Sequence, residues 1–545
     1  MKAAVSFSLL CAIAAAQPVV TIQAVDRMDL PCEIEKLSFI TAPEVTMAIG
    51  EYEPLALLVS ATGKLKETAF RIEGLPRRVT VETRVATPYR RKLRAGKAVT
   101  EPYLLEATES VSFKEAGKAV YWLIFHAEPS VKAGSRIVTV RLADASLKLR
   151  VTVRPFRLRR DPGVFYGAFC GRTDVAITPA HMQDLHERGF DALQFFWGSL
   201  SLPIRNDSGH MVVDFSFVDR WMEEFQKAGM KGPIVWSLGN DSTSHTENIL
   251  SQVFNIPHPP LVEKNGKRMN FADIKNPELN RRLKELMLAI KEHLAEKKWP
   301  QLNFIIYDEP TERLMEEHAD RYRFIKSFWP ELKIYGVVMD RLEWAQAVNP
   351  MADILVANGD FERISALAER SGKPFWLYGS ASSRDEAALR QSYAWRPWVH
   401  KAKGVWFWAY NYHAADPYDD FDAGSPDSSM SMVWPSRPGS VTLVYSVSWE
   451  GMREAVDDMA YIQTLEWMLK QTSTARAREI QGQLEDLKKA IPSGRRVRVL
   501  GGDAHDTVEQ TNSKRFVTEG RRKVATWIEE VLQADRKRFR EIRVN

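Results

Sequence analysis

Cysteine is scarce in this chain of 545 residues, occurring three times, at Cys11, Cys32 and Cys170. Cys11 lies in an apolar N-terminal stretch, so two cysteines remain for the folded part of the chain. Two cysteines cannot build a zinc site without histidine ligands, and His181 and His186 are not spaced to share one face of a helix. We therefore expect no metal and no other cofactor, and either one disulfide between Cys32 and Cys170 or two free buried thiols.

Long hydrophobic runs are missing beyond the N-terminus. The apolar residues 3–16 follow Lys2 and end in small residues before Gln17, which is typical of a secretory signal. This run is too short to cross a bilayer, and no later stretch reaches transmembrane length. We expect residues 1–16 to be a signal peptide and the rest to be exported, periplasmic or extracellular, without stable membrane insertion.

A concentration of charge of one sign is also missing. Lys and Arg number 75 against 70 Asp and Glu, and the formal net charge is +5. The densest basic run, PYRRKLRAGK at 88–97, has few interleaved aromatic residues. Because nucleic-acid binding depends on a concentrated patch that neutralises phosphates, we expect no nucleic-acid partner.

Short β-rich segments dominate the region from 17 to 158. They are rich in β-branched and aromatic residues, often alternate, and are separated by turns, which predicts an N-terminal β-sandwich. The clearest are PLALLVSA, RVTVETRVA, AVYWLIFHA, RIVTVRL and LKLRVTVRPF. The charged, turn-prone segment 157–163 is interpreted as a linker.

Strands then alternate with amphipathic helices over residues 163–445. Eight strands with helices between them predict a (β/α)8 barrel of the TIM type rather than an open doubly wound sheet. No glycine-rich phosphate loop follows the first of these strands, which disfavours a nucleotide-binding fold. Residues 446–545 are charged and mostly helical, so we expect a multidomain protein with a C-terminal helical appendage.

The strand LNFIIYDEP, residues 302–310, carries the sharpest functional signal. Its apolar run ends in Asp308 and Glu309, at the strand end where a TIM barrel places its active site. A structural alternative is that Asp308 caps the next helix, with Glu309 and Pro310 in its first turn. We predict that Asp308 and Glu309 are catalytic.

Aromatic residues are frequent at the predicted strand ends, and flat rings suit the apolar faces of sugars. Packing in the barrel or against its helices is the alternative for each of them, because alternation points part of every set outward. The predicted substrate-binding residues are Trp197, Trp236, Asn240, Asn358, Trp376, Tyr378, Trp408, Tyr410 and Asn411.

Two carboxyl groups side by side oppose each other's ionisation, so they can divide the two roles that a glycosidase needs. A protonated Glu309 can act as general acid while Asp308 stays ionised. Strand 7, KPFWLYGS, offers no carboxylate as nucleophile, which favours attack by the 2-acetamido group of the sugar itself. Two alternatives stay open: a sugar without that group, served by a second carboxylate, and a non-catalytic carbohydrate-binding protein. The second carboxylate would come from Asp241, Asp340 or Asp360.

With these residues in hand, most of the chain beyond the signal resembles glycoside hydrolase family 123. The resemblance rests on GEYEPLALLVSA at 50–61 and AEPSVKAGSRIVTVRL at 127–142, on YDEP in the barrel, and on SVSWEGMREAVDDMAYIQTLEW at 446–467. It implies a β-N-acetylgalactosaminidase that works by substrate-assisted retention, with Asp308 orienting the acetamido group and Glu309 as acid/base.

The last of these motifs departs from the family pattern at one position. Ser448 stands where the resemblance leads us to expect an arginine, although Glu450, Arg453 and Asp457 or Asp458 keep the remaining charged positions. We interpret these charges as a buried ion-pair network that fastens the C-terminal appendage. The predicted partner is a carbohydrate or glycoconjugate substrate, and the oligomeric state stays open.

Overall fold

The structure is a computed structural model. It describes residues 18–92, 98–170, 179–195, 202–239, 244–260, 262–264, 267–310, 314–339, 341–380, 386–413, 417–418, 431–440, 442–491 and 507–539. The predicted signal peptide, residues 1–16, lies outside these ranges. The expected fold class is confirmed, with antiparallel sheets first, a closed barrel of eight parallel strands next and helices last. None of the helices in the described ranges is apolar over a length sufficient to cross a bilayer.

The N-terminal region is a sandwich of two main sheets. Its strands are β1 (Val20–Val25), β2 (Glu44–Ile49), β3 (Tyr52–Ala61), β4 (Leu65–Thr68), β5 (Arg71–Glu73), β6 (Val79–Lys92), β7 (Ala98–Ala107), β8 (Val111–Phe113), β9 (Gly117–Ala127), β10 (Gly134–Leu142) and β11 (Ala145–Arg157). One sheet has the order β1-β3-β9-β6-β7 and continues with strands from later in the chain, and the other has the order β2-β11-β10-β5.

The larger sheet is buried on both faces, which explains why its strands read as nearly continuous apolar runs. On β3, Leu57 and Val59 face the smaller sheet and belong to the sandwich core. Ala56 and Leu58, on the opposite face, belong to a core that continues into the barrel and the C-terminal helices. The sandwich is therefore packed against the rest of the molecule over the face of a sheet.

The barrel follows the predicted alternation of strands and helices. Its elements and their insertions are β12 (Phe165–Cys170), α1 (Pro179–Glu187), β13 (Ala192–Phe195), β14 (Ile204–Asp207), β15 (His210–Val213), α2 (Ser216–Lys227), β16 (Ile234–Gly239), α3 (His245–Val253), β17 (Val262–Lys264), β18 (Lys267–Met269), α4 (Pro277–Lys297), β19 (Leu302–Tyr307), α5 (Met315–Phe328), β20 (Lys333–Val338), α6 (Leu342–Val348), β21 (Ile354–Ala357), α7 (Phe361–Arg370), β22 (Phe375–Ser380), α8 (Glu386–Arg390), a π-helical stretch (Gln391–Trp395), α9 (Arg396–Val399) and β23 (Gly404–Trp408). The barrel order is β12-β13-β16-β19-β20-β21-β22-β23, and β23 pairs back with β12. The hairpins β14–β15 and β17–β18 are insertions that the sequence pattern did not predict.

Local sequence signals set the helices around the barrel. The side chain of Asn276 caps α4 by accepting hydrogen bonds from two backbone N–H groups of the first turn, and Pro277 occupies the position where its missing N–H is not needed. Helix α2 buries Val218, Trp221 and Phe225, which recur at the spacing of one helical face. Such faces cover the outside of the barrel.

The barrel interior is filled by large side chains rather than open. Tyr335, Trp376 and Trp406 pack there with ring centroids 5.2 to 6.4 Å apart. Gly167 on β12 makes room for them, because a Cβ at this position would overlap the indole of Trp406. A packed interior places any substrate site at the mouth of the barrel, as in other barrels of this type.

After the barrel, two short strands return to the N-terminal sheet. They are β24 (Val433–Trp434) and β25 (Val444–Ser446), and β25 pairs with β7. The strand residues Val433, Trp434, Val444 and Tyr445, expected to belong to the barrel, thus extend the larger sheet of the sandwich. Strands this short give no periodicity from which to predict them. The helices α10 (Val447–Gln471), α11 (Ala475–Lys489) and α12 (Thr507–Ala534) follow, and α10 is buried along most of its length.

Both cysteines of the described chain are free thiols, which excludes the disulfide alternative in this structure. Cys170 is buried, as expected, whereas Cys32 is partly exposed.

Candidate active site

Asp308 and Glu309 follow directly on the fourth barrel strand. All six residues of β19 are buried, and the two carboxyl-bearing residues after it are partly exposed. The backbone N–H of Asp308 donates a hydrogen bond of 3.1 Å to the carbonyl oxygen of Gly239, at the end of the neighbouring strand β16. The pair is therefore held at the barrel mouth by the sheet itself.

The helix-cap alternative for this pair is wrong. Helix α5 begins at Met315, and its N-cap residue is Leu314, which makes no side-chain capping bond. Glu309 has φ +48°, in the left-handed region that a residue other than glycine rarely adopts. Such conformations cost free energy and concentrate at functional sites. The backbone of Glu309 is thus shaped by something other than helix initiation.

Tyr378, on the seventh strand, contacts the acidic pair. Its hydroxyl donates a hydrogen bond to Oε1 of Glu309 and is also hydrogen-bonded to the side chain of Asn358, which follows the sixth strand. Burial raises the pKa of Tyr378 well above its ordinary value, and the negative charges of Glu309 and Asp308 raise it further. Tyr378 therefore stays a neutral hydroxyl, able to donate to a carboxylate.

A second tyrosine lies below the pair inside the barrel. Tyr335 on β20 is fully buried, and burial together with the charge of Asp308 raises its pKa well above the ordinary value. Trp376 also lies in the interior, with its ring 4.8 Å from that of Phe165. Trp376 precedes Tyr378 by two residues and lies on the same face of β22. Its side chain therefore fills the barrel interior beneath the mouth and does not line the mouth.

Trp408 is the predicted aromatic that lies at the mouth and remains partly exposed. It ends β23, and its ring is 5.9 Å from that of Phe169 and 4.9 Å from that of Tyr412. A partly exposed ring near the acidic pair is suited to contact with a sugar face.

Two other predicted aromatics are placed differently from the expectation. Trp236 lies on the outward face of β16, whose neighbour Val235 points into the barrel, and it packs with the core around the helices. Tyr410 lies beyond the end of β23, where alternation no longer applies. Its hydroxyl donates to Oδ2 of Asp184 on α1 at 3.3 Å, and its ring is 5.4 Å from that of Trp449 on α10. Both residues pack between elements.

The predicted amide residues divide in the same way. Asn358 joins the site through Tyr378, as described above. Asn411 is buried, and both polar atoms of its side chain lack a hydrogen-bond partner within the described chain. Trp197 and Asn240 lie outside the described residues.

Of the three alternative carboxylates, Asp360 is the one that lies within the described residues. Asp360 is bound to Arg363, whose Nε donates to its Oδ1 at 2.8 Å. Asp241 and Asp340 lie outside the described residues. Across from Glu309, the seventh strand therefore presents the hydroxyl of Tyr378 in place of a carboxylate.

The comparisons with known proteins identify the family of this chain. A family model for the catalytic domain of glycoside hydrolase 123 matches residues 177–465, which is more than half of the chain. The chain belongs to glycoside hydrolase family 123. It is therefore a glycoside hydrolase whose substrate is a carbohydrate. Among curated proteins, no match is found.

One solved structure shares the fold of this family 123 hydrolase. A family 123 glycoside hydrolase from Clostridium perfringens has a TM-score of 0.71 and 11% identity, over 95% of this chain and 100% of the other. At this identity the likeness concerns the fold. Two further matches have low TM-scores. A family 39 glycoside hydrolase from Bacteroides cellulosilyticus has a TM-score of 0.37 and 11% identity, over 76% and 81% of the two chains. A family 5 mannosidase from Rhizomucor miehei has a TM-score of 0.36 and 11% identity, over 59% and 96%.

Helix α10, which carries the C-terminal motif of the family resemblance, lies apart from the acidic pair. Glu450 on α10 binds Arg188, which follows α1, at 2.8 Å, and Asp458 binds Arg390 of α8 at 2.8 Å. Ser448, at the position of the missing arginine, is 3.4 Å from the hydroxyl of Tyr103. These contacts support the structural interpretation, in which the motif fastens the C-terminal helices of the family 123 hydrolase to its barrel.

A buried ion pair behind the fourth strand escaped the sequence interpretation. Nε of Arg321 on α5 lies 2.8 Å from Oε1 of Glu247 on α3, and both side chains are almost completely buried. Tyr307, the last residue of β19, points to the same side, with its ring 6.4 Å from that of His318. The residue before the acidic pair is thus packed against the helices, and a charged residue within a helix gives no sequence signal for this role.

Gln194 is a further residue that the sequence interpretation passed over. It faces the barrel interior on β13, since Ala192 of the same face does, and it is paired in register with Val235. It is fully buried, and its amide has no hydrogen-bond partner within the described chain. Alternation along the strand was the signal that could have revealed it.

Within the described ranges, no group of three or more His, Cys, Asp or Glu side chains is arranged to hold a metal ion.

Proposed function

We propose that this hydrolase removes a terminal β-linked N-acetylhexosamine, with N-acetylgalactosamine as the sugar, by substrate-assisted retaining catalysis. The observation that carries the proposal is the neighbouring pair Asp308 and Glu309 at the end of strand 4, opposed on strand 7 by a tyrosine hydroxyl. A retaining glycosidase without an enzyme nucleophile needs an acid/base and a group that positions the substrate's own nucleophile.

Glu309 acts as the acid in the first step. It gives its proton to the glycosidic oxygen, the bond from C1 to that oxygen breaks, and the carbonyl oxygen of the 2-acetamido group bonds to C1. Asp308 accepts a hydrogen bond from the acetamido N–H and offsets the positive charge that develops on this group. In the second step Glu309 takes a proton from water, whose oxygen bonds to C1 while the bond between C1 and the acetamido oxygen breaks. The acetamido group is restored, and the two inversions at C1 retain its configuration.

The neighbouring residues and the relatives support this assignment. Trp408 offers a partly exposed ring at the mouth for the apolar face of the sugar. The Clostridium perfringens relative is described as acting on glycolipid glycans, which favours a glycoconjugate as the substrate here. Export, predicted from residues 1–16, would bring the enzyme to such substrates outside the cytoplasm.

The first experiment measures hydrolysis of nitrophenyl β-glycosides of N-acetylgalactosamine, N-acetylglucosamine and galactose. We expect turnover of acetamido sugars alone, fastest for N-acetylgalactosamine. Glu309→Gln and Asp308→Asn are each expected to lower kcat by about 100-fold or more, because each removes a group that acts in the transition state.

Two outcomes would contradict the proposal. Turnover of the galactoside, with Asp308→Asn still active, would exclude substrate assistance and direct attention to another carboxylate. Binding of the acetamido sugars without turnover of any glycoside would favour the non-catalytic alternative.

A further inference from the structure

Tyr378 lies where it can control the catalytic acid. Its hydroxyl donates to Oε1 of Glu309, and its side chain is buried, with 7% of its surface exposed. Asn358 lies beside it, because Ala357 and Leu377 are paired between strands β21 and β22 and the two residues follow them. The hydrogen-bonded side chains of Asn358, Tyr378 and Glu309 thus form one run that links the sixth, seventh and fourth strands at the barrel mouth.

The direction of each hydrogen bond in this run follows from the chemistry of the groups. The carboxylate of Glu309 accepts, so the tyrosyl proton is committed to it. The remaining partner of the phenolic oxygen must then donate, which assigns the amide N–H of Asn358 to this bond. Asn358 therefore fixes the rotation of the Tyr378 hydroxyl about its C–O bond.

We propose that Tyr378 is the positioning residue of Glu309: it anchors Oε1, so that the proton transferred to the leaving group is carried on Oε2. Asn358 supports it by orienting its hydroxyl. This inference rests on the role of Glu309 as acid/base proposed above. It assigns to strand 7, which carries no carboxylate, a part in acid catalysis rather than in nucleophilic attack.

The test is the dependence of the rate on the leaving group. Dinitrophenolate leaves without protonation, whereas phenolate needs the acid, so only the phenyl glycoside reports on how well Glu309 is positioned. We expect Tyr378→Phe to lower kcat/KM by about 10- to 100-fold for the phenyl glycoside and by less than about 3-fold for the dinitrophenyl glycoside. Glu309→Gln should show the same trend with a larger loss.

Two further variants separate positioning from a general defect. Asn358→Ala keeps the ring of Tyr378 in place and should show the same dependence on the leaving group with a smaller loss, so it decides the matter if Tyr378→Phe does not fold. Tyr335→Phe removes a buried inward hydroxyl that has no hydrogen-bond partner within the described chain, and it should leave the dependence unchanged. Thermal unfolding of each variant identifies those that are folded.

The proposal is overturned if Tyr378→Phe lowers the rate equally for all leaving groups, since the hydroxyl would then serve the sugar or the barrel. It is also overturned if neither Tyr378→Phe nor Asn358→Ala changes the rates. Failure of the proposed sugar specificity can be distinguished from failure of the role of Tyr378, because the leaving-group series can be made with whichever sugar the wild type hydrolyses. Absence of hydrolysis of every glycoside would overturn both proposals together.

Discussion

At the scale of the single residue, the backbone of Glu309 links structure to function. A left-handed conformation costs a residue other than glycine roughly 1–2 kcal/mol. At φ +48°, just before Pro310, this conformation turns the side chain toward strand 7 and Tyr378. Such strain persists when the surroundings impose it. Here two hydrogen bonds do so: the Asp308 N–H donates to the Gly239 carbonyl, and the Tyr378 hydroxyl donates to the Glu309 carboxylate.

Replacing Glu309 by glycine should therefore leave the fold more stable than replacing it by alanine, while both changes abolish the activity. We expect Glu309→Gly to exceed Glu309→Ala in free energy of unfolding by about 1 kcal/mol, because both lose the carboxylate and only glycine is relieved of the left-handed strain. Denaturant unfolding of the two variants measures the difference. Equal stability, or a more stable alanine variant, would mean that the conformation is not costly here.

The same scale shows why the carboxylates could be predicted and the aromatics only in part. Asp308 and Glu309 end an apolar run, so the strand end and the barrel rule together located them. Trp236 sits in a strand that is apolar on both faces, which leaves inward and outward positions indistinguishable in the sequence. Tyr410 was assigned by extending alternation past Trp408, where β23 ends.

At the scale of the element, the close approach of β12 and β23 depends on a small residue. Trp406 of β23 lies over Gly167 of β12, which is paired with it in register. Aromatic and aliphatic side chains pack around this indole in the barrel interior, and Trp406 is fully buried. The seventh strand, which carries Tyr378, is paired with the same tryptophan.

Gly167→Ala should therefore destabilise the protein, by about 1–3 kcal/mol, because the added methyl group forces the indole or a strand to shift. Gly482 in α11 is a matched control, since a Cβ there meets no atom. Gly482→Ala should stabilise the protein slightly, by up to about 1 kcal/mol, through helix propensity. Thermal unfolding compares the two, and an unchanged Gly167→Ala would show that the interior can accommodate the extra group.

Elements that take part in the strand–helix alternation could be predicted from the sequence, and short strands outside it could not. The eight barrel strands are apolar runs between amphipathic helices, which located even the four-residue strands β13 and β21. The inserted hairpins and the strands β24 and β25 have two to four residues each, too few for a period. Their pairing depends on contacts with distant parts of the chain, such as that of Ser446 with Leu104.

At the scale of the whole molecule, charged residues join the sandwich, the barrel and the C-terminal helices. Arg27 from the sandwich binds Glu53 at 2.7 Å, Glu386 of α8 at 2.8 Å and Glu454 of α10 at 2.8 Å. Arg521 of α12 binds Glu454 as well, at 2.7 Å. Arg27 thus contacts all three regions through three separate carboxylates.

Among the residues that the structure describes, the buried Asp457 at this junction forms no ion pair. Burial, followed by the charge of Glu454, raises the pKa of Asp457 to about 7, although Arg521 opposes the shift. Glu51 of the sandwich is raised as well, by burial and then by the charge of Asp457. The native junction therefore binds a proton at neutral pH that the unfolded chain would already have released.

This proton makes the stability of the molecule depend on pH. The pKa of Asp457 is higher in the folded state than its ordinary value of 3.8, so its contribution is complete at low pH and is lost as the pH rises through about 7. Asp457→Asn, which stays neutral, should be more stable than wild type at pH 8, by on the order of 1–3 kcal/mol, since one unit of pKa shift corresponds to about 1.4 kcal/mol. The same variant should show a smaller decline in the free energy of unfolding between pH 4 and 7. Denaturant unfolding across this range measures the effect, with the exposed Asp486→Asn as control. A decline of unchanged slope in Asp457→Asn would show that this carboxyl is ionised in the folded protein at every pH tested, and that the three regions are joined by fully charged pairs.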